Sequence, residues 1–143
     1  MRRLADFFND LYLFDISAGL WINLSVRGYK PAPRALFGFA SAGGKLYVFG
    51  GVQLSGEYLS RKPVLIQMFG FANDSWYVAG FSNDFYEMDV SNRSALQWRS
   101  IAIEFRTPGP RASLGLAALN GALYVFGGYQ STGRHAARLA EYM

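Results

Sequence analysis

At 143 residues the chain has the length of one ordinary domain, and 51% hydrophobic with 17% aromatic residues gives it a core to bury rather than a disordered composition. It contains no cysteine, which excludes a disulfide framework, thiolate catalysis and a cysteine-based zinc site. The net charge of +4 is spread over scattered arginines (Arg27, Arg34, Arg61, Arg93, Arg99, Arg106 and Arg111), whereas a nucleic-acid footprint needs basic residues gathered on one face. No window reaches the ~18 uninterrupted apolar residues of a membrane-spanning helix. The most apolar run, Val64 to Phe81, is broken by Gln67, Asn73 and Asp74, and Asp6, Asn9 and Asp10 interrupt the place of a signal-peptide core. The expected location is cytoplasmic, with neither nucleic acid nor membrane as a partner.

In chain order, Asn9-Asp10 is a turn signal, and the apolar, aromatic run after it reads as a strand ending near Asp15. Asp15 to Gly19 is a polar turn, and Trp21 to Leu24 is a second short strand. Pro31 and Pro33 make Gly28–Arg34 a loop. Ala35 to Ala42 reads as a buried strand, Gly43-Gly44 as a two-residue hairpin turn and Lys45–Phe49 as the return strand, covered on both faces because it does not alternate.

The same grammar then recurs. Leu46-Tyr47-Val48-Phe49-Gly50-Gly51 returns as Leu123-Tyr124-Val125-Phe126-Gly127-Gly128, 77 residues later. The segment beginning at Phe8 is matched by the one beginning at Ser82, Trp21 by Trp98, Pro31-Ala32-Pro33-Arg34 by Pro108-Gly109-Pro110-Arg111, and Gly43-Gly44 by Asn120-Gly121. The Arg follows the Trp by 13 residues and precedes the double glycine by 16 in both copies. The copies differ by three extra residues in the turn at Ser91–Leu96. Repetition at this period sets the fold class before any site chemistry does.

These residues resemble the kelch repeat. The matching features are Pro-x-Pro-Arg, Leu-Tyr-Val-Phe-Gly-Gly, Asn-Asp-x-Tyr with an Asp three residues beyond the Tyr, and the later Trp. The chain departs from the family where many repeats carry a His three residues after the Arg: Phe37 and Leu114 stand there. The resemblance implies an all-β fold of four-stranded antiparallel propeller blades. Pro-Arg leads into strand a, Leu-Tyr-Val-Phe is strand b, Asn-Asp-x-Tyr opens strand c, and the Trp lies on strand d. One kelch region would span 1–143: a half-blade at 8–24, a full blade at 35–103 with an insertion at 52–81, a half-blade at 112–128 and a tail at 129–143. A propeller closes with roughly 4–8 blades, so this is an incomplete propeller. The complementary half-blades are expected to pair, more readily between chains than within one. The tail from Gln130 reads either as a short helix or as sequence standing where a strand c belongs.

The insertion is too long for a structureless loop in a compact domain. It reads as an inserted hairpin with strands Val64–Phe69 and Trp76–Ala79, as a duplicated strand-c edge, because Phe71 to Tyr77 and Phe81 to Tyr86 both run Phe-x-Asn-Asp and end on an aromatic-Tyr pair, or as non-native sequence from a misread gene. In an antiparallel blade the b–c loop shares an end with the d–a loops, here Ser25–Arg34 and Glu104–Arg111. Loops on a rigid scaffold are where binding residues gather, which selects Tyr29, Lys30, Glu57, Tyr58, Arg61, Lys62 and Arg106 as candidate partner contacts.

The repeated landmarks have structural readings. Gly50, Gly51, Gly127 and Gly128 lack the Lys-Ser/Thr of a phosphate loop and serve strand-terminating geometry. Trp21 and Trp98 are wedges between blades. Arg34 and Arg111 hydrogen-bond carbonyls or a carboxylate near the blade junction. Asp10, Asp84, Asp15 and Asp89 cap turns. His135 is the sole histidine and cannot build a two-His metal site. No catalytic residue, cofactor or metal is implied, and the chain reads as a non-enzymatic protein-interaction module or scaffold whose partner is an unidentified protein. The alternative is a piece of a kelch-like propeller enzyme, similar to the scaffold of copper-containing galactose oxidases, with its catalytic residues outside this chain.

Overall fold

The computed structural model of the chain describes residues 7–54, 79–103 and 106–130. It is all-β. β1 (Tyr12–Asp15) and β2 (Leu20–Asn23) form an antiparallel pair with Phe14 opposite Trp21. The turn between them is tied by Asp15, whose Oδ1 accepts hydrogen bonds from the Ser17 and Ala18 amides and the Ser17 hydroxyl. After β3 (Arg34–Ala35) come β4 (Gly38–Ala42) and β5 (Lys45–Phe49), then β6 (Val52–Leu54) and β7 (Ala79–Phe81), then β8 (Phe85–Asp89) and β9 (Trp98–Ser100). β10 (Ala112–Leu119) and β11 (Ala122–Tyr129) form a final hairpin.

The organising sheet is four-stranded and antiparallel, in the order β4-β5-β8-β9. It is a complete propeller-type blade. β1–β2 and β10–β11 are separate antiparallel pairs before and after it, at the sequence positions where the kelch resemblance implies two half-blades. The described strands therefore fall short of a closed propeller.

The hairpin turns obey the chemistry that their residues dictate. Gly43-Gly44 has φ of 55° and 73°, and Asn120-Gly121 has 49° and 76°, the paired left-handed conformation of a type I′ turn. The strand expected over Ala35–Ala42 is instead interrupted. Leu36 has φ 57°, so β3 turns away from β4 and pairs with β6, Arg34 opposite Gln53. Ser113 has the same positive φ, 55°, so the kink is part of the repeat, although β10 runs on through it without a break.

The middle sheet is covered on both faces, as the unbroken apolar run of β5 requires. On one face Val48, Tyr86, Met88, Leu96 and Trp98 form the core, with Leu11, Leu24 and Val26 from the N-terminal half-blade packed on them. Met88 and Leu96 are fully buried, and each such side chain contributes about 1.5–3 kcal/mol. On the other face Phe49 and Phe85 line a cavity together with Pro108 and with Leu116, Leu123 and Val125 of the C-terminal half-blade. The two half-blades thus lie on opposite faces of the middle blade. Gly38 has no side chain because a Cβ there would stand 2.6 Å from Leu114 and 2.8 Å from Leu116, and this lets β4 run close beside β10.

Trp98 is 7% exposed and belongs to the cluster against which Leu11, Leu24 and Val26 pack. Trp21 is 69% exposed, its ring 5.0 Å from Phe14.

Candidate interaction surface

The site grows from Arg34, which is 6% exposed. Its Nε donates to the Ala32 carbonyl at 3.1 Å, and Nη1 donates to the Gly50 carbonyl at 2.9 Å and to Asp84 Oδ1 at 2.7 Å. Nη2 donates to Asp84 Oδ2 at 2.9 Å, completing a bidentate pair. Gln53 Nε2 donates to the same Oδ2, and the guanidinium lies 5.3 Å from the centre of the Tyr86 ring. The starts of strands a and c and the end of strand b are therefore pinned to one planar group, a task that suits arginine's rigid fork of donors. Burial acts to raise the Asp84 pKa, but hydrogen bonds from Arg34 and Ser82 and the charge of Arg34 outweigh it, and the carboxyl titrates below its ordinary 3.8. Burial and the hydrogen bond with Tyr29 push the Tyr86 phenol up. Asp84 is not the turn cap expected from its place after an Asn; it is the counter-ion of Arg34. Asp15 and Asp89 do cap turns, Asp89 through the Ser91 amide and hydroxyl.

The blades are stitched by backbone hydrogen bonds that repeat. The Arg34 amide donates to the Phe8 carbonyl at 3.2 Å, and the Arg111 amide donates to the Ser82 carbonyl at 3.0 Å. The Gly51 amide donates to the Arg111 carbonyl, and the Ser82 amide to the Gly51 carbonyl. Gly50 and Gly51 adopt φ of 66° and 95°, and a Cβ on Gly50 would meet the Arg111 carbonyl at 2.7 Å. The double glycine thus serves a strand end at which the next blade arrives, and only glycine combines that backbone with that clearance. The Asn of each Asn-Asp pair holds the following d–a loop: Asn9 Nδ2 donates to the Pro31 carbonyl and Asn83 Nδ2 to the Thr107 hydroxyl, both at 3.2 Å.

These contacts set the b–c and d–a loops at one end of the blades. Tyr29 and Lys30 lie exposed in the loop before β3, and Arg106 lies exposed in the loop before β10. Tyr29 is anchored despite 60% exposure, its ring stacked 6.0 Å from Tyr86 and its hydroxyl 3.3 Å from that of Tyr86. No described contact joins Arg106 to the other two. Glu57, Tyr58, Arg61 and Lys62 lie outside the described residues, as do His135, the tail beyond Gln130 and both strands proposed for an inserted hairpin apart from Ala79. The described feature of the insertion is its base. β6 and β7 pair antiparallel, with Val52 opposite Phe81 and Leu54 opposite Ala79, and with β3 they make a small three-stranded sheet. Residues 55–78 therefore leave and return at neighbouring points on the loop end.

Sequence reasoning places Arg34 against carbonyls or a carboxylate, as found, but does not name Asp84 as that carboxylate. It also missed Gln53, whose role depends on a kink at Leu36 that no local pattern announces. Among the described residues no group of His, Asp or Glu could hold a metal ion, and no helix is long and apolar enough to cross a membrane.

No family model matches the chain. The chain is 26% identical over 121 residues to kelch domain-containing protein 10 of Rattus norvegicus, an alignment covering 85% of this chain and 24% of the relative. The human protein of the same name is equally similar, with 22% of its length covered. The chain thus spans about a quarter of the length of the curated relatives it matches. The repeat and the four-stranded antiparallel sheet are similar to those of kelch-type β-propellers. The similarity to kelch domain-containing protein 10 runs over most of the chain, not over one blade alone.

Proposed function

We propose that this chain is a protein-interaction module without catalytic function, which binds its partner through the loop end of its blades. The observation that carries this reading is the convergence there of three elements: the d–a loop with Tyr29 and Lys30, the d–a loop with Arg106, and the β6–β7 base that presents residues 55–78. Each is tied to the blades by the hydrogen bonds around Arg34, Gly51 and Arg111. A rigid base presenting variable loops lowers the ordering cost of binding. The similarity to proteins named for their kelch domains supports a binding role. Glu57, Tyr58, Arg61 and Lys62 belong to the proposed contact set by their place in the sequence between β6 and β7.

The test is affinity capture from lysate followed by mass spectrometry, with three baits: the native chain, a variant with 55–78 replaced by a short Gly/Ser linker, and a Tyr29→Ala/Lys30→Glu/Arg106→Glu variant. Loss of the same captured proteins by both altered baits, with the circular dichroism of the native chain retained, is the expected result. Retention of every captured protein by both would place the contact surface elsewhere.

A further inference from the structure

The two half-blades carry matching unfinished contacts. Arg111 copies Arg34 in two of its bonds, Nε to the Gly109 carbonyl at 3.0 Å and Nη1 to the Gly127 carbonyl at 2.9 Å. No carboxylate meets it among the described residues, where the ion pairs are those of Arg34, Lys45 and Arg99. The position equivalent to Asp84 in the other half-blade is Asp10, exposed and likewise without an ion-pair partner among the described residues. The apolar positions tell the same story. Tyr86, Trp98 and Phe49 of the middle blade are 5%, 7% and 3% exposed, and their counterparts Tyr12, Trp21 and Phe126 are 50%, 69% and 85% exposed. Within one chain the halves cannot meet, because they cover opposite faces of the middle sheet.

We propose that β11 of one copy takes β1 of a second copy as its next strand, so that β10–β11 and β1–β2 become the a–b and c–d halves of one blade. The β5–β8 ladder supplies the register. Val48 opposite Tyr86 and Lys45 opposite Asp89 translate to Val125 opposite Tyr12 and Ala122 opposite Asp15. The Gly50 amide donating to the Asp84 carbonyl at 3.1 Å becomes Gly127 donating to Asp10. The waiting Arg111 fork closes on the Asp10 carboxylate. In such a blade Tyr12 and Trp21 are covered by the middle blade of the first copy, and Phe126 by that of the second. The contact is head-to-tail, so it propagates until a ring closes. Each copy supplies two blades' worth of strands, and propellers close with about 4–8 blades, so the assembly is a ring of about two to four copies.

Sedimentation equilibrium of the purified full chain tests the assembly, and charge exchange tests its register. The native chain is expected at about two to four times its 15.9 kDa. Arg111→Asp and Asp10→Arg each lose the assembly, and the double variant regains it. The chain has no cysteine of its own, which permits a second readout that needs no destabilising charge. Val125→Cys and Tyr12→Cys chains, mixed and oxidised, are expected to yield a covalent two-chain species that neither forms alone. A chain that stays monomeric at all concentrations, because another polypeptide or its own residues 131–143 complete the edge, overturns the proposal. So does an assembly that resists both charge changes, one that the double variant fails to restore, or one that gives no mixed crosslink.

Discussion

Arg34 and Arg111 occupy the same place in the repeat and make the same two bonds to backbone carbonyls, yet only Arg34 is finished. It has a bidentate carboxylate, a Gln53 beside that carboxylate and an aromatic ring beneath it. Among the described residues Arg111 has the carbonyls alone. Local sequence is enough to pre-orient the guanidinium against the loop before it and the glycines after it. The charge partner comes from strand c, and burial follows when that strand is present. The middle blade and the C-terminal half-blade are therefore one design at two stages of completion, and paired substitutions measure what completion contributes.

The largest contrast is expected between the tryptophans. Trp98→Ala removes a buried wedge and should destabilise by about 3–5 kcal/mol, whereas Trp21→Ala in the monomeric chain should cost less than about 1 kcal/mol, as an exposed substitution does. Urea unfolding of both variants checks this, and equal costs would show that the face of Trp21 is covered in solution. Next come the arginines. Arg34→Ala leaves Asp84 part-buried and uncompensated and should cost about 2–4 kcal/mol, the lower figure reflecting partial exposure of the carboxylate. Arg111→Ala should cost about 1 kcal/mol, the value of ordinary hydrogen bonds. Arg34→Lys should recover little of the loss, because a point charge cannot reproduce the fork.

The glycines isolate the neighbouring blade itself. Gly50 and Gly127 share φ of 66° and 67°, but a Cβ on Gly50 meets the Arg111 carbonyl at 2.7 Å while one on Gly127 meets nothing within 4 Å. Gly127→Ala should cost about 1 kcal/mol, the strain of left-handed backbone alone. Gly50→Ala should cost a further 1–3 kcal/mol, roughly, from overpacking against the next blade. Thermal melts of the two variants read the difference directly.

The smallest effect is that of pH. The folded-state pKa of Asp84 is lowered, so its ion pair stabilises fully above the ordinary aspartate value of 3.8, and that contribution is lost as pH falls through the lower folded-state value. Asp84→Asn should flatten the acid limb of the stability curve. A steeper acid limb for native protein in the assembled state than in the monomer would place Asp10 in the same kind of pair.

Much of the architecture was legible because it was written twice. The double glycines, the hairpin turns at Gly43-Gly44 and Asn120-Gly121, and the Trp and Arg landmarks are local requirements of backbone conformation and burial, so repetition exposed them. The loop end shared by the insertion and the d–a loops also followed from antiparallel alternation alone. What stayed hidden depends on residues far apart in the chain. Asp84 reads locally as a turn aspartate, and only the approach of β8 to β3 makes it the partner of Arg34, 50 positions away. Leu36 and Ser113 carry positive φ without being glycine, a strain tolerated because the kink lets β3 pair with β6 and lets the Ser113 amide reach the Leu36 carbonyl. Asn9 and Asn83 signal turns in sequence and tie neighbouring blades in space.

The sequence by itself determined the repeat, the strand order within a blade and the positions at which blades must touch, since turn chemistry, periodicity and large apolar side chains act over a few residues. Tertiary structure decided which copy of each landmark is satisfied. Identical residues at Trp21 and Trp98, or at Arg34 and Arg111, carry the same local preferences, and their different burial and pairing arise only from which strands stand beside them.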